Sequence, residues 1–140
     1  MSLAAGLIAA AGCLVGPPQA AATDLACTPG QGCFFLSPTG NISCELDEAA
    51  PPGTQGSAAL AYCQSYSPTQ SVRLDPDGSI TPCAGDSCMG DPPENTPTLA
   101  YGQTARHGPF SCLSETSGMT CRAPSGQGFT ISRSGITAVG

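Results

Sequence analysis

The sequence predicts an all-β fold, a small disulfide-stapled β-sandwich or partly open barrel built from short antiparallel hairpins. Three observations predict it. No segment carries an apolar stripe at helical spacing long enough for an amphipathic helix. Turn signals rich in Gly, Pro, Ser and Asn recur at roughly 8–12 residue intervals, the spacing of small sandwiches and barrels. The 140 residues include nine Cys but only 22 Leu, Ile, Val and Phe. Apolar burial alone is therefore thin, and covalent bridges are expected to supplement it.

Residues 3–15 read LAAGLIAAAGCLV. This uncharged stretch is shorter than the ~20 apolar residues that span a bilayer. Pro17 and Pro18 end any helix, and Ala20, Ala21 and Ala22 supply an A-x-A cleavage pattern. The order predicts a signal peptide over residues 1–22 and one secreted Cys-rich β domain over residues 23–140. The segment ahead of the apolar core holds no Lys or Arg, which departs from the usual leader. Ala10-Ala11-Gly12-Cys13 offers an alternative, a lipobox that would anchor the chain to the cell envelope through Cys13. No transmembrane segment is expected in the mature chain.

Residues 34–36 predict a first strand, ended by the turn Ser37-Pro38-Thr39-Gly40. Residues 41–46 (NISCEL) alternate and read as its hairpin partner. A polar loop over 47–57 follows. Residues 58–66 read as a strand rather than a short helix, because Tyr62 and Tyr66 suit a pleated face. Residues 71–74 and 79–81 flank Asp75-Pro76-Asp77-Gly78, the clearest hairpin signal in the chain. Pro76 presets φ, Asp77 bonds locally and Gly78 takes the left-handed position. Residues 83–97 are read as loop and 98–101 as a short strand. Residues 110–113 and 119–122 form a hairpin around Ser117-Gly118, and 129–132 make the last strand. No internal repeat stands out.

Removal of the leader leaves Cys27, Cys33, Cys44, Cys63, Cys83, Cys88, Cys112 and Cys121. Eight is an even number, as a secreted disulfide framework requires, and it allows 105 connectivities. The hairpin favours Cys112–Cys121. Cys83–Cys88 and Cys27–Cys33 would each close a short loop, which leaves Cys44–Cys63. Zinc fits less well, since only Cys83-x₄-Cys88 has ligand-like spacing and the single His lies elsewhere.

Ten acidic residues against four Arg and no Lys give a net charge of −6. That excludes a nucleic-acid role, because little here could neutralise phosphates. Asp75 to Ile80 resembles part of a calcium loop, but Arg73 and Ala84 occupy the first and last ligand positions. His107 could serve a small hydrolase with a Ser and Asp86 or Asp91, yet no nucleophile elbow is present. Glu45, Asp47 and Glu48 read as a solvated edge that discourages strand pairing. Tyr62, Tyr66 and Tyr101 read either as recognition residues or as half-buried strand residues. Asn41-Ile42-Ser43 is a formal glycosylation sequon.

An ordered set of segments carries a resemblance. It runs from Phe35-x-Ser37-Pro38-Thr39-Gly40-Asn41-Ile42-x-Cys44 through Cys83-Ala84-Gly85-Asp86 and Leu99-Ala100-Tyr101-Gly102. It continues in Cys112 and Gly118-Met119-Thr120-Cys121 and closes in Gly126-x-Gly128-Phe129-x-Ile131-Ser132-Arg133. Over about residues 34–136 the chain resembles a family of secreted actinobacterial, mycobacterial-type Cys-rich domains of unknown function. Ala100 stands where Pro is common, and Cys27, Cys33 and Cys88 are additional. The resemblance implies an exported or lipid-anchored domain and carries no activity.

The combined expectation is a secreted, non-enzymatic module with no cofactor and no metal, binding an extracellular protein or an envelope glycan. The alternative is a secreted inhibitor or effector that works through its Pro-rich loops at 47–57 and 89–97. A small hydrolase using His107 is the third reading.

Overall fold

The structure, a computed structural model, describes residues 24–140. The expected leader and Cys13 fall outside the described residues. Sheet 1 contains β1 (Cys33–Leu36), β2 (Ile42–Asp47), β3 (Leu60–Ser65), β4 (Gln70–Leu74) and β5 (Ile80–Ala84). Sheet 2 contains β6 (Thr104–His107), β7 (Phe110–Glu115), β8 (Gly118–Arg122), β9 (Gly128–Ser132) and β10 (Gly135–Val139). Each sheet is a five-stranded antiparallel meander in sequence order. The two sheets face each other as a sandwich, not a closed barrel. A single 3₁₀ turn at Asp86–Cys88 is the helical content of the described residues.

Period-2 alternation explains which side chains go inside. Sheet 1 turns Phe35, Leu46, Ala61, Val72 and Leu74 inward, each with no exposed surface. Sheet 2 answers with Phe110, Met119, Phe129 and Ile131. The outward neighbours of these residues are mostly polar, as a half-wet antiparallel sheet requires. The turn before β5 forms as its residues dictate. Gly78 has φ +91°, its N–H donates to Asp75 O at 2.9 Å, and Ser79 Oγ donates to Asp77 Oδ1 at 2.6 Å. Gly128 answers to close approach instead, since a Cβ there would lie 1.9 Å from Cys121 O. The cross-strand contact of β8 with β9 therefore needs glycine at this position.

The eight cysteines of the described residues form Cys27–Cys33, Cys44–Cys63, Cys83–Cys88 and Cys112–Cys121. Cys44 sits directly opposite Cys63, and Cys112 directly opposite Cys121. Their Cα atoms are 4.1 and 4.0 Å apart, the narrow spacing of a non-hydrogen-bonded pair. Each bridge thus joins the second and third strands of its own meander. Both are buried, and Cys63 Sγ touches Cys121 Sγ at 3.6 Å. The two halves therefore repeat one plan, a repeat that sequence identity does not reveal.

Short parallel bridges protect one edge of each sheet. Leu36 pairs with Thr98 beside β1, and Leu25 with Ala105 beside β6. The expected strand at 98–101 is this isolated bridge, because the chain turns away after Leu99 fills the core. Two further strands depart from expectation, β6 and β10. β6 was hidden by its polar Arg106 and His107. β10 holds only Ile136 and Val139 as larger apolar residues and gains its order from pairing with β9.

Candidate binding face

The two outer faces of the sandwich differ in cover and in charge. On sheet 1, Gln64 is 1% exposed and clamps the loop that follows β5. Its Nε2 donates to Gly90 O at 2.8 Å, and Gly90 N–H donates to its Oε1 at 2.7 Å. Tyr62 OH donates to Cys88 O at 2.6 Å. The loop therefore lies across this face and leaves a hollow of only about 50 Å³ beside Phe34, Glu45 and Tyr62. Burial first, then a hydrogen bond and charge repulsion from Asp47, raises the Glu45 carboxyl from 4.5 to about 7. Glu45 and Asp47 are half-buried rather than a fully solvated edge.

Among the described residues no loop crosses the outer face of sheet 2. A shallow hollow of about 290 Å³ is lined by Thr104, Arg106, Ser111, Leu113, Glu115, Thr120, Arg122 and Thr130. Strand register arranges them in rows. Arg106, Ser111 and Arg122 are successive partners across β6, β7 and β8. Thr104, Leu113, Thr120, Thr130 and Thr137 form the next row across all five strands. Thr120 and Thr130 hydroxyls are 2.7 Å apart.

Charge follows the same division. Residues 33–97 carry eight carboxylates against Arg73 alone. The sheet 2 side carries Glu115 and, beside Arg106, Asp24, against Arg106, Arg122 and Arg133. Arg73 is taken up by Asp75 at 3.1 Å. Arg106 lies 3.9 Å from Asp24 in an exposed pair that water screens. Arg122 Nη1 donates to Gly126 O at 2.8 Å, which leaves its other donors to solvent. An acidic molecule thus presents a hydroxyl-rich face on which two of its four arginines stand.

Glu115 also lines a second cleft, of about 270 Å³, at one end of the sandwich. Turn residues distant in sequence converge there, among them Thr39, Asn41, Tyr101, Ser117 and Arg133. Tyr101 is 44% exposed. Asn41 helps to build the wall, since its Nδ2 donates to Ser67 O and its Oδ1 accepts from Ser67 N–H.

The residues singled out in the sequence fall in different places. His107 is 5% exposed, with Nε2 2.6 Å from Gln31 O and Nδ1 3.7 Å from Glu48 Oε1. A carbonyl partner requires the proton on Nε2. The ring thus ties β6 to the loop before β1, and its two polar contacts include no serine. Asp75 and Asp77 serve the hairpin turn, and Ser79 holds the Asp77 carboxyl below its usual range. Tyr62 belongs to the clamp, whereas Tyr66 is exposed. Arg106, Arg122 and the threonine rows went unrecognised. Their signal is the period-2 pattern of Thr104–Arg106 and Thr120–Arg122, which places each pair on one face.

The fold defines a class, the disulfide-stapled sandwich of two antiparallel meanders. Residues 62–138, more than half of the chain, match a family model described as a family of unknown function (DUF6636). The chain belongs to that family. None of the curated proteins and none of the solved structures matches it.

Proposed function

We propose that this chain is an exported, non-enzymatic binding module whose recognition surface is the outer face of sheet 2 with its adjoining cleft. The observation that carries the reading is the contrast between faces. The loop after β5 closes sheet 1, whereas sheet 2 leaves a shallow hollow lined by paired rows of polar side chains. Four disulfides suit an oxidising extracellular compartment. They also hold the strands rigid, which lowers the ordering cost of binding. Among the described residues no helix is long and apolar enough to cross a membrane.

The partner class is an extracellular glycan or protein with matching polarity. A glycan suits the face better, because apart from half-buried Leu113 its lining side chains are polar. Protein interfaces usually centre on a desolvated apolar or aromatic anchor. The inhibitor reading loses part of its surface, since Gly90 within loop 89–97 is held by Gln64. Retention on a panel of insoluble polysaccharides and cell-wall material tests the proposal. Thr120→Glu, at the centre of the face, is expected to abolish retention that Thr81→Glu on β5 leaves intact. Equal retention of both variants would overturn it.

A further inference from the structure

We infer that the row Arg106–Ser111–Arg122 is an anion seat and that the ligand of this face is an acidic polysaccharide. This inference rests on the binding-face reading above and adds the ligand's chemistry. Neighbouring strands lie about 4.8 Å apart, so the two arginines rise roughly 10 Å from each other with Ser111 between them. A ligand carboxylate or phosphate would displace the exposed Asp24 contact of Arg106 and use the donors of Arg122 that Gly126 O does not occupy, so that the two long side chains close on it from both sides. A guanidinium makes paired, charge-assisted hydrogen bonds to such a group. Ser111 adds a hydroxyl donor at the centre of the seat.

The rest of the face sets what surrounds the anion. Two residues further along the strands, the Thr104–Leu113–Thr120–Thr130 row offers hydroxyls that both donate and accept. Glu115 stands two residues beyond Leu113 on the same face. Its carboxylate repels a second anion there and accepts hydrogen bonds from ligand hydroxyls. The order is therefore cationic, then hydroxylic, then anionic. That order fits a sugar ring with one acidic group and free hydroxyls opposite it.

Other anionic polymers fit less well. A lipid bilayer surface or a nucleic acid presents dense, continuous negative charge, which a chain of net charge −6 without Lys meets with overall repulsion. Among the described residues no aromatic lines the hollow itself, and the single exposed Tyr101 of the adjoining cleft is no platform for successive bases. Spaced charges on a hydroxylated polymer avoid both difficulties. The eight carboxylates of residues 33–97 lie on or beside the other sheet, and they would orient the module with sheet 2 toward such a polymer.

Affinity electrophoresis and calorimetry on the oxidised protein test this with three probes: hyaluronate, neutral dextran and phosphatidylglycerol vesicles. Hyaluronate, with one carboxylate per disaccharide, is expected to bind, with affinity that falls as salt rises from 0.05 to 0.5 M. Arg106→Gln and Arg122→Gln are each expected to weaken it about tenfold, whereas Arg73→Gln leaves it unchanged. Circular dichroism establishes that each variant is folded. Equal binding to dextran, or binding indifferent to both substitutions, overturns the anion seat. In that case loss of dextran binding in Thr120→Glu would still support the binding face. Vesicle binding as strong as hyaluronate binding overturns the glycan assignment in favour of a lipid headgroup. No binding to any probe overturns the inference.

Discussion

Removing either core disulfide tests how the sandwich is held together. The two bridges share one environment, being buried, directly opposed across strands and in contact at 3.6 Å. They differ in the loop they close, with sequence separations of 19 for Cys44–Cys63 and 9 for Cys112–Cys121. Loop-closure entropy gives about 3.3 kcal/mol for the first and about 2.7 kcal/mol for the second. The paired replacement Cys44→Ala/Cys63→Ala should therefore cost about 0.6 kcal/mol more than Cys112→Ala/Cys121→Ala, because lost sulfur packing is similar in both. Urea unfolding at fixed pH measures each loss, and the slope with denaturant shows whether the unfolded state has changed. The four-residue variant should depart from additivity by about 0.5–1 kcal/mol, since the sulfurs touch. A larger loss from the shorter loop, or losses below about 1 kcal/mol for both, would refute the entropic reasoning.

Burial and Asp47 hold Glu45 protonated up to about pH 7, whereas the unfolded chain ionises it near 4.5. The native state binds more protons across that window, so stability should fall as pH rises from about 4.5 to about 7. Glu45→Gln should flatten this dependence, by about 1–2 kcal/mol once solvent screening is allowed for, in urea titrations at several pH values. Gln64→Leu removes both partners of Gly90, and the Gly90 amide should lose about 10–100-fold of its hydrogen-exchange protection, on the order of 1–3 kcal/mol. His107→Ala should lower stability by about 1–3 kcal/mol through the orphaned Gln31 carbonyl and the lost packing, and leave glycan retention unchanged.

The hairpins were legible because their signals are local. Asp75-Pro76-Asp77-Gly78 and Ser117-Gly118 specify turns by backbone geometry alone, and NISCEL alternates cleanly. The all-β fold followed from the same signals, and the disulfide framework from the even count and spacing of the cysteines. The edge strands were not legible, since β10 owes its order to its neighbour and β6 offers Ala105 as its one apolar residue among Thr104, Arg106 and His107. The contact between Cys63 and Cys121 depends on how one sheet packs on the other, and no spacing encodes it. The candidate face was hidden for a related reason. Arg106, Ser111 and Arg122 become neighbours only through strand register, and the uncrossed face of sheet 2 shows only beside the loop that covers sheet 1.

The central claim is that sheet 2 presents the recognition face. Titrating isotopically labelled, oxidised protein with hyaluronate oligosaccharides and following backbone amide shifts by NMR tests it most directly. The account predicts saturable shifts concentrated at Thr104, Arg106, Ser111, Thr120, Arg122 and Thr130, with residues 85–97 unmoved. Shifts centred on the covered face of sheet 1, or none at millimolar ligand, would contradict it.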